Sequence, residues 1–150
     1  MSTEEVVLQV AAKAILVNPE GKVLIMREAD ESYAEGTNAG KYHAAAGGRI
    51  NPSETYAEGL KREVAEETGI TDFEPLYPVH VGEWWPVIKG QKRHIVAIFT
   101  VCKTRTSEVR LSEEHDDFRW ISPDETGQYD ILPAERDAIA AYAKRTANSN

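Results

Sequence analysis

Residues 48–70 read Gly48-Arg-Ile-Asn-Pro-Ser-Glu54-Thr-Tyr-Ala-Glu-Gly-Leu-Lys-Arg62-Glu63-Val64-Ala-Glu66-Glu67-Thr-Gly69-Ile70. Thr55-x-x-Glu58 has the form of a capping box, with Pro52 just upstream, and Gly69 is a C-terminal stop. Ala57, Leu60, Val64 and Thr68 recur at helical spacing and form a stripe for the core. Together they predict a helix over residues 55–67. On that helix Glu63, Glu66 and Glu67 stand at i, i+3 and i+4, so three carboxylates share one face. Like charges this close destabilise a helix by a few tenths of a kcal/mol per pair, and a divalent cation would reverse that sign. Three hard oxygen donors suit Mg²⁺ or Mn²⁺ and do not suit zinc. Taken alone, an E-x-x-E-E run is more often a solvated acidic face. Arg62 can hold a carboxylate bidentately, either Glu54 or one of the glutamates beside it. Gly47-Gly48 would let backbone groups approach a metal or an anion. Gly59 has two readings: it clears an approach to the glutamates, or it is a tolerated surface glycine.

Working outward, residues 5–17 are β-branched and apolar with polar interruptions, a long strand. Asn18-Pro19-Glu20-Gly21 is a turn, and residues 23–27 return as the second arm of a hairpin. Residues 29–41 read as a surface loop. Residues 41–46 lead through a short strand to Gly47-Gly48. Beyond the helix, residues 73–81 form a strand. Residues 94–102 form the most apolar strand, which places it centrally in a sheet. Residues 111–121 end in a further strand. Ser122-Pro-Asp-Glu has the form of a helix start. Residues 132–144 form a second helix with Ile139, Tyr142 and Ala143 on one face, and residues 146–150 are an expected frayed tail. Strands, one helix, strands and a terminal helix make an α/β (α+β) fold with a mixed sheet.

The chain has 150 residues and a 41% apolar fraction, which suits one domain over residues 1–150 with one proper core. No run approaches the ~18 apolar residues of a transmembrane helix, so no membrane partner is expected. The acidic start, Met1-Ser-Thr-Glu-Glu, is unlike a secretory signal. Cys102 is the only cysteine, which rules out an internal disulfide and a multi-cysteine zinc site and suits the cytoplasm. A net charge of −8 opposes extended nucleic acid, although a metal can still bridge an acidic protein to a nucleotide. A homodimer is the expectation from base rates alone.

The quoted stretch also fills all nine defined positions of the pattern G-x5-E-x7-R-E-U-x-E-E-x-G-U, where U is a bulky aliphatic: Gly48, Glu54, Arg62, Glu63, Val64, Glu66, Glu67, Gly69 and Ile70. A chance match is on the order of 10⁻⁹ per starting position. The stretch resembles the Nudix box of the Nudix hydrolases. That resemblance implies an α/β/α sandwich with the box as loop-helix-loop. It also implies hydrolysis of a nucleoside diphosphate linked to another group, with Mg²⁺ or Mn²⁺. By position, Glu63, Glu66 and Glu67 would be metal ligands, one of them also the general base. Arg62 would orient the glutamates, Glu54 would assist, and Gly48 would offer its carbonyl or a close approach. A further acidic ligand is expected shortly before the late strand's Trp. Glu114, six residues before Trp120, fits, with Glu113 as the fallback. The family often has Pro before Gly-Gly, where this chain has Ala46.

The substrate side is less legible. Arg27 and Lys41 flank the expected site and could meet phosphates. Tyr42, Trp84, Trp85 and Phe99 are base-stacking candidates, each more often core. The adjacent Trp84 and Trp85 would point to opposite faces of a strand, one packed and one lining a cleft. His43 and His115 could assist proton transfer, although a hydrogen-bonded structural histidine is commoner. Three roles compete: a metal-dependent pyrophosphohydrolase acting on a small nucleotide, a nucleotide-sensing module without turnover, and an RNA-processing enzyme. The intact glutamate set favours the first, and the acidic balance opposes the third.

Overall fold

The computed structural model describes residues 5–29 and 38–148. Most of the predicted 29–41 loop and the last two residues of the predicted tail lie outside that set. In chain order the elements are β1 (Val7–Val17), β2 (Val23–Glu28), β3 (Tyr42–His43), β4 (Ala46–Arg49), α1 (Tyr56–Thr68), β5 (Phe73–Trp84), β6 (Val87–Ile88), β7 (Gln91–Thr104), β8 (His115–Ile121), a 3₁₀ turn (Pro123–Gln128) and α2 (Pro133–Ala147). The Ser122-Pro-Asp-Glu start therefore opens only a 3₁₀ turn. The second helix continues to Ala147, past the start of the expected frayed tail.

The backbone of the sheet runs β3-β2-β1-β7-β5. β7 lies inside it, as its apolarity predicted, parallel to β1 along all of β1 and antiparallel to β5. The turn after β1 forms as expected. Asn18 Oδ1 accepts from the Glu20 and Lys22 N–H groups at 3.1 and 2.9 Å, and Gly21 takes φ +77°. The expected hairpin, however, is nearly absent. β1 and β2 share the single facing pair Val17–Val23. β1 then turns its edge to β4, with Ala11–Ala14 facing Arg49–Ala46, while β2 pairs with β3 and β8. The small residues explain this fork. A Cβ on Gly47, at φ +153°, would collide with the Ala12 carbonyl, so only glycine lets β4 lie against β1.

Alternation along β1 divides the core between two layers. Ala11 and Ile15 join Ile25, Phe99 and Ile139 on the α2 side. Ala12, Ala14 and Leu16 join Leu24, Leu60 and Val64 on the α1 side. The result is a mixed sheet between two helices, the α/β/α sandwich that the resemblance implied.

Candidate active site

α1 is built as its sequence prescribes, shifted by one residue. Thr55 Oγ1 accepts from the Glu58 N–H at 3.1 Å, and Glu58 Oε1 accepts from the Thr55 N–H at 2.8 Å. Gly69 closes the helix in the left-handed conformation. Leu60, Val64 and Thr68 are buried. Ala57 is exposed, a correction to the predicted stripe, because Tyr56 takes the inward place and donates its hydroxyl to the Ile98 carbonyl at 2.9 Å. Gly59 also departs from both readings. It is buried, and a Cβ there would strike the Ile50 side chain and approach Glu54 Oε1 to 3.3 Å. It packs the box loop onto the helix and clears no path to the glutamates.

Arg62 organises the carboxylates around it. Its Nε and Nη2 donate to the two oxygens of Glu54 at 2.7 and 2.9 Å, and its Nη1 reaches Glu63 at 3.1 Å and Glu66 at 3.3 Å. The Arg62 bond, helped by the Asn51 N–H, holds the Glu54 carboxyl down to about 2. Glu63 is pushed the other way by burial, partly offset by Arg62. A Cβ on Gly48 would stand 2.9 Å from the Glu63 carboxylate, so glycine there makes room for it.

Glu67 differs from the rest. It is 8% exposed, and its Oε1 accepts the Gly47 N–H at 3.1 Å. Burial pushes its carboxyl up to about 8; Lys13 and the Gly47 N–H oppose the rise, and the charges of Glu114 and Glu63 add to it. Glu63, Glu66 and Glu67 line one wall of a cleft of about 270 Å³, and Ser112, Glu113 and Glu114 line the other. The Glu114 carbonyl accepts the Ala29 N–H at 2.9 Å, which ties that wall to the end of β2. Residues almost fifty positions apart thus meet, as the sequence pattern anticipated.

Among the described residues, no three acidic or histidine side chains already converge as a ligand set. Here Arg62 supplies the countercharge to Glu54, Glu63 and Glu66. The donors nevertheless fit a hard divalent ion. All are carboxylate oxygens, and one is buried with its charge opposed by its surroundings, a cost that a nearby 2+ charge removes.

The substrate candidates scatter. Arg27 pairs with Asp116 at 2.7 Å on the surface. Lys41 lies at the mouth of β3, its carbonyl accepting the Glu28 N–H. The tryptophans do take opposite sides. Trp84 packs against the α2-side core, while Trp85, 52% exposed, stacks on His94 at 4.5 Å, away from the glutamate cleft. Tyr42 and Phe99 are core residues, and Tyr42 donates its hydroxyl to Asp117 at 2.7 Å. His43 is held between two buried glutamates, Glu28 at 3.1 Å and Glu135 at 3.2 Å. Burial opposes its charge, but Glu135 and Glu28 outweigh that and raise its pKa to about 9. His115, edge-on to His43 at 5.6 Å, is lowered to about 4 by burial and by the His43 charge. Sequence reasoning missed Lys13, Glu28 and Glu135. Only Lys13 left a trace, as one polar break in an apolar run.

A NUDIX domain model matches residues 7–142. The nucleoside triphosphatase NudI of Escherichia coli O1:K1 is 28% identical over 134 residues, covering 83% of this chain and 89% of its own. The crystal structure of a MutT protein from Methanosarcina mazei Go1 superposes with a TM-score of 0.79 at 29% identity, covering 96% of this chain and 99% of its own. An Ap4A hydrolase of C. elegans shares the fold, with a TM-score of 0.67 at 17% identity over 93% of this chain and 98% of its own.

Proposed function

The chain belongs to the Nudix family and is a hydrolase of pyrophosphate bonds, and on that premise we propose that it is a divalent-metal-dependent enzyme acting on small nucleotides, nucleoside triphosphates first. The observation that carries this reading is Glu67, a carboxylate buried at the edge of an acidic cleft with no adjacent side-chain cation bound to it. Glu63, Glu66, Glu67 and Glu114 would hold Mg²⁺ or Mn²⁺, with Gly48 contributing its carbonyl or close approach. When bound, the ion would neutralise charge on the pyrophosphate oxygens and acidify a water.

The remaining roles belong to the chain. Arg62 fixes Glu54, Glu63 and Glu66 relative to one another, so the acidic wall is set before substrate arrives. Glu67, whose high proton affinity comes from burial, is the carboxylate suited to take the proton of the attacking water. Arg27, next to the Glu113-Glu114 wall through its partner Asp116, is the nearest exposed guanidinium for the outer phosphates. Lys41 and Trp84 remain substrate-side candidates. Nucleoside triphosphates lead the substrate proposal because the curated relative is a nucleoside triphosphatase. No helix among the described residues is long and apolar enough to cross a membrane. Buried Cys102, pushed up to about 12, has no role that requires oxidation, which agrees with a cytoplasmic location.

The deciding test is a panel of nucleoside triphosphates, dinucleoside polyphosphates, ADP-ribose and nucleotide sugars, with Mg²⁺ and with Mn²⁺. Wild type should release product on at least one, and chelation should stop it. If no substrate is turned over above a Glu66→Gln control, the enzyme reading fails.

A further inference from the structure

The sheet carries an apolar face that α1 does not cover. Register fixes which side chains share it. Leu8 lies beside His94 across the parallel β1–β7 pair. Glu83 and Val81 lie opposite Val96 and Ile98 across β5–β7. Val87 lies opposite Lys92 in the β6–β7 arm, and Trp85 stacks on His94. Val6 continues the row of Lys92, one step before the Val7–Arg93 pair. These residues occupy the α1 side of the sheet, where Tyr56 reaches only as far as Ile98 and Thr100. Beyond that point Val6, Leu8, Val81, Trp85 and Val87 are 42%, 65%, 60%, 52% and 55% exposed.

Together these five side chains offer a surface on the order of 500 Å². That is near the top of the ~300–600 Å² of the largest patch on an ordinary monomer. It is also more than half of the ~800 Å² that each partner gives to a standard interface. Charge narrows the choice of partner. In a chain of net charge −8, this face holds only Glu83 and Lys92 as fixed charges, and Glu83 is already paired with His94 at 2.8 Å. It has no field with which to select an oppositely charged protein or a nucleic acid. Two acidic copies repel across most of their surfaces, but not here. A flat, near-neutral apolar face is also self-complementary under a two-fold axis.

From this we infer that the β1–β7–β5 face is a homodimer interface, with a second copy of the chain packed on it face to face. The interface is independent of the glutamate cleft, so its failure would leave the hydrolase reading intact. Sedimentation velocity and native mass spectrometry of the full chain, from low to high micromolar, should show a monomer–dimer equilibrium. Leu8→Asp with Val81→Asp should abolish the dimer and leave turnover on the best substrate unchanged. Leu76→Asp, which alters a 47%-exposed leucine at a β5 bulge, should leave the dimer intact. If the double variant fails to fold, hydrogen exchange of the wild type decides: residues 6–10 and 81–87 should gain protection as concentration rises. A wild type that stays monomeric throughout overturns the inference. So does a dimer that survives the double substitution, or protection of the face that is the same at every concentration, which would mean that the chain covers itself.

Discussion

Two places in this molecule bury carboxylates, and they are resolved in opposite ways. On the α2 side, Glu28 and Glu135 are 6% and 4% exposed, and His43 lies between them as their cation. On the α1 side, Glu67 is nearly as buried but receives only a backbone N–H, while the local cation, Arg62, is spent on Glu54, Glu63 and Glu66. A buried charge is costly unless it is paired. The histidine cluster carries its own pairing and is complete. The glutamate cleft is incomplete, and what completes it must come from outside.

The largest test of this contrast is Glu67→Gln. A structural glutamate would be missed in stability; a functional one is missed in turnover. The substitution should lower kcat by about 10²–10⁴-fold. The melting temperature should hold or rise, because a neutral amide carries no burial penalty for charge. Parallel turnover and thermal-melt measurements would refute the contrast if stability fell and kcat did not.

His43→Phe should do the reverse. It removes the cation from two buried carboxylates and leaves them unpaired, at a cost of about 3–5 kcal/mol. For a chain of this size that corresponds to a fall in melting temperature on the order of 10 °C. A fall of only a degree or two would mean that the two glutamates are neutral in the fold, and the contrast would collapse.

The same contrast explains what the sequence could and could not reveal. The glutamate face was legible because its information is local: a capping box, a Gly stop and three carboxylates within five residues. Even Glu114 was reachable, through its distance from Trp120. The histidine cluster was not, because it joins His43 to a residue 92 positions away through the docking of α2. Glu135 sits in an ordinary first helical turn, and nothing nearby marks it as buried. The hairpin failed for a similar reason. Its turn is correct, but β1 gives its edge to β4, and the collision at Gly47 that enforces this involves Ala12, thirty-five positions earlier. Gly59 was misplaced because its constraint is the packing of Ile50, not access to the cleft.

A smaller effect should appear in the pH dependence of stability. Both Glu67, at about 8, and His43, at about 9, have folded values above their ordinary 4.5 and 6.5. Each therefore contributes stability that is full below the ordinary value and declines as pH rises to the folded value. Glu67 loses its share between about 4.5 and 8, and His43 loses its share, on the order of 3 kcal/mol, between about 6.5 and 9. Denaturant midpoints across this range should fall in two overlapping limbs. Glu67→Gln removes the lower limb, and His43→Phe removes the upper one. Saturating Mg²⁺ should flatten only the lower limb, because it stabilises the charged form of Glu67. Loss of the upper limb on adding Mg²⁺ would place the ion at the wrong cluster.

The finest discrimination comes from Arg62→Lys. A lysine keeps the charge, but its compact ammonium cannot reproduce the guanidinium fork that holds Glu54 bidentately while reaching Glu63 and Glu66. Arg62 is 30% exposed, so the stability cost should stay within about 1 kcal/mol. The geometric loss should show as a fall in kcat of about tenfold, equivalent to ~1.4 kcal/mol, from misalignment of the acidic wall. The split between kcat and melting temperature decides what Arg62 is. If Arg62→Lys destabilises the fold as much as His43→Phe, then Arg62 is an internal counter-ion of the same kind as His43. The glutamate cleft would then be complete without a metal, and the case for an external cation would rest on Glu67 alone.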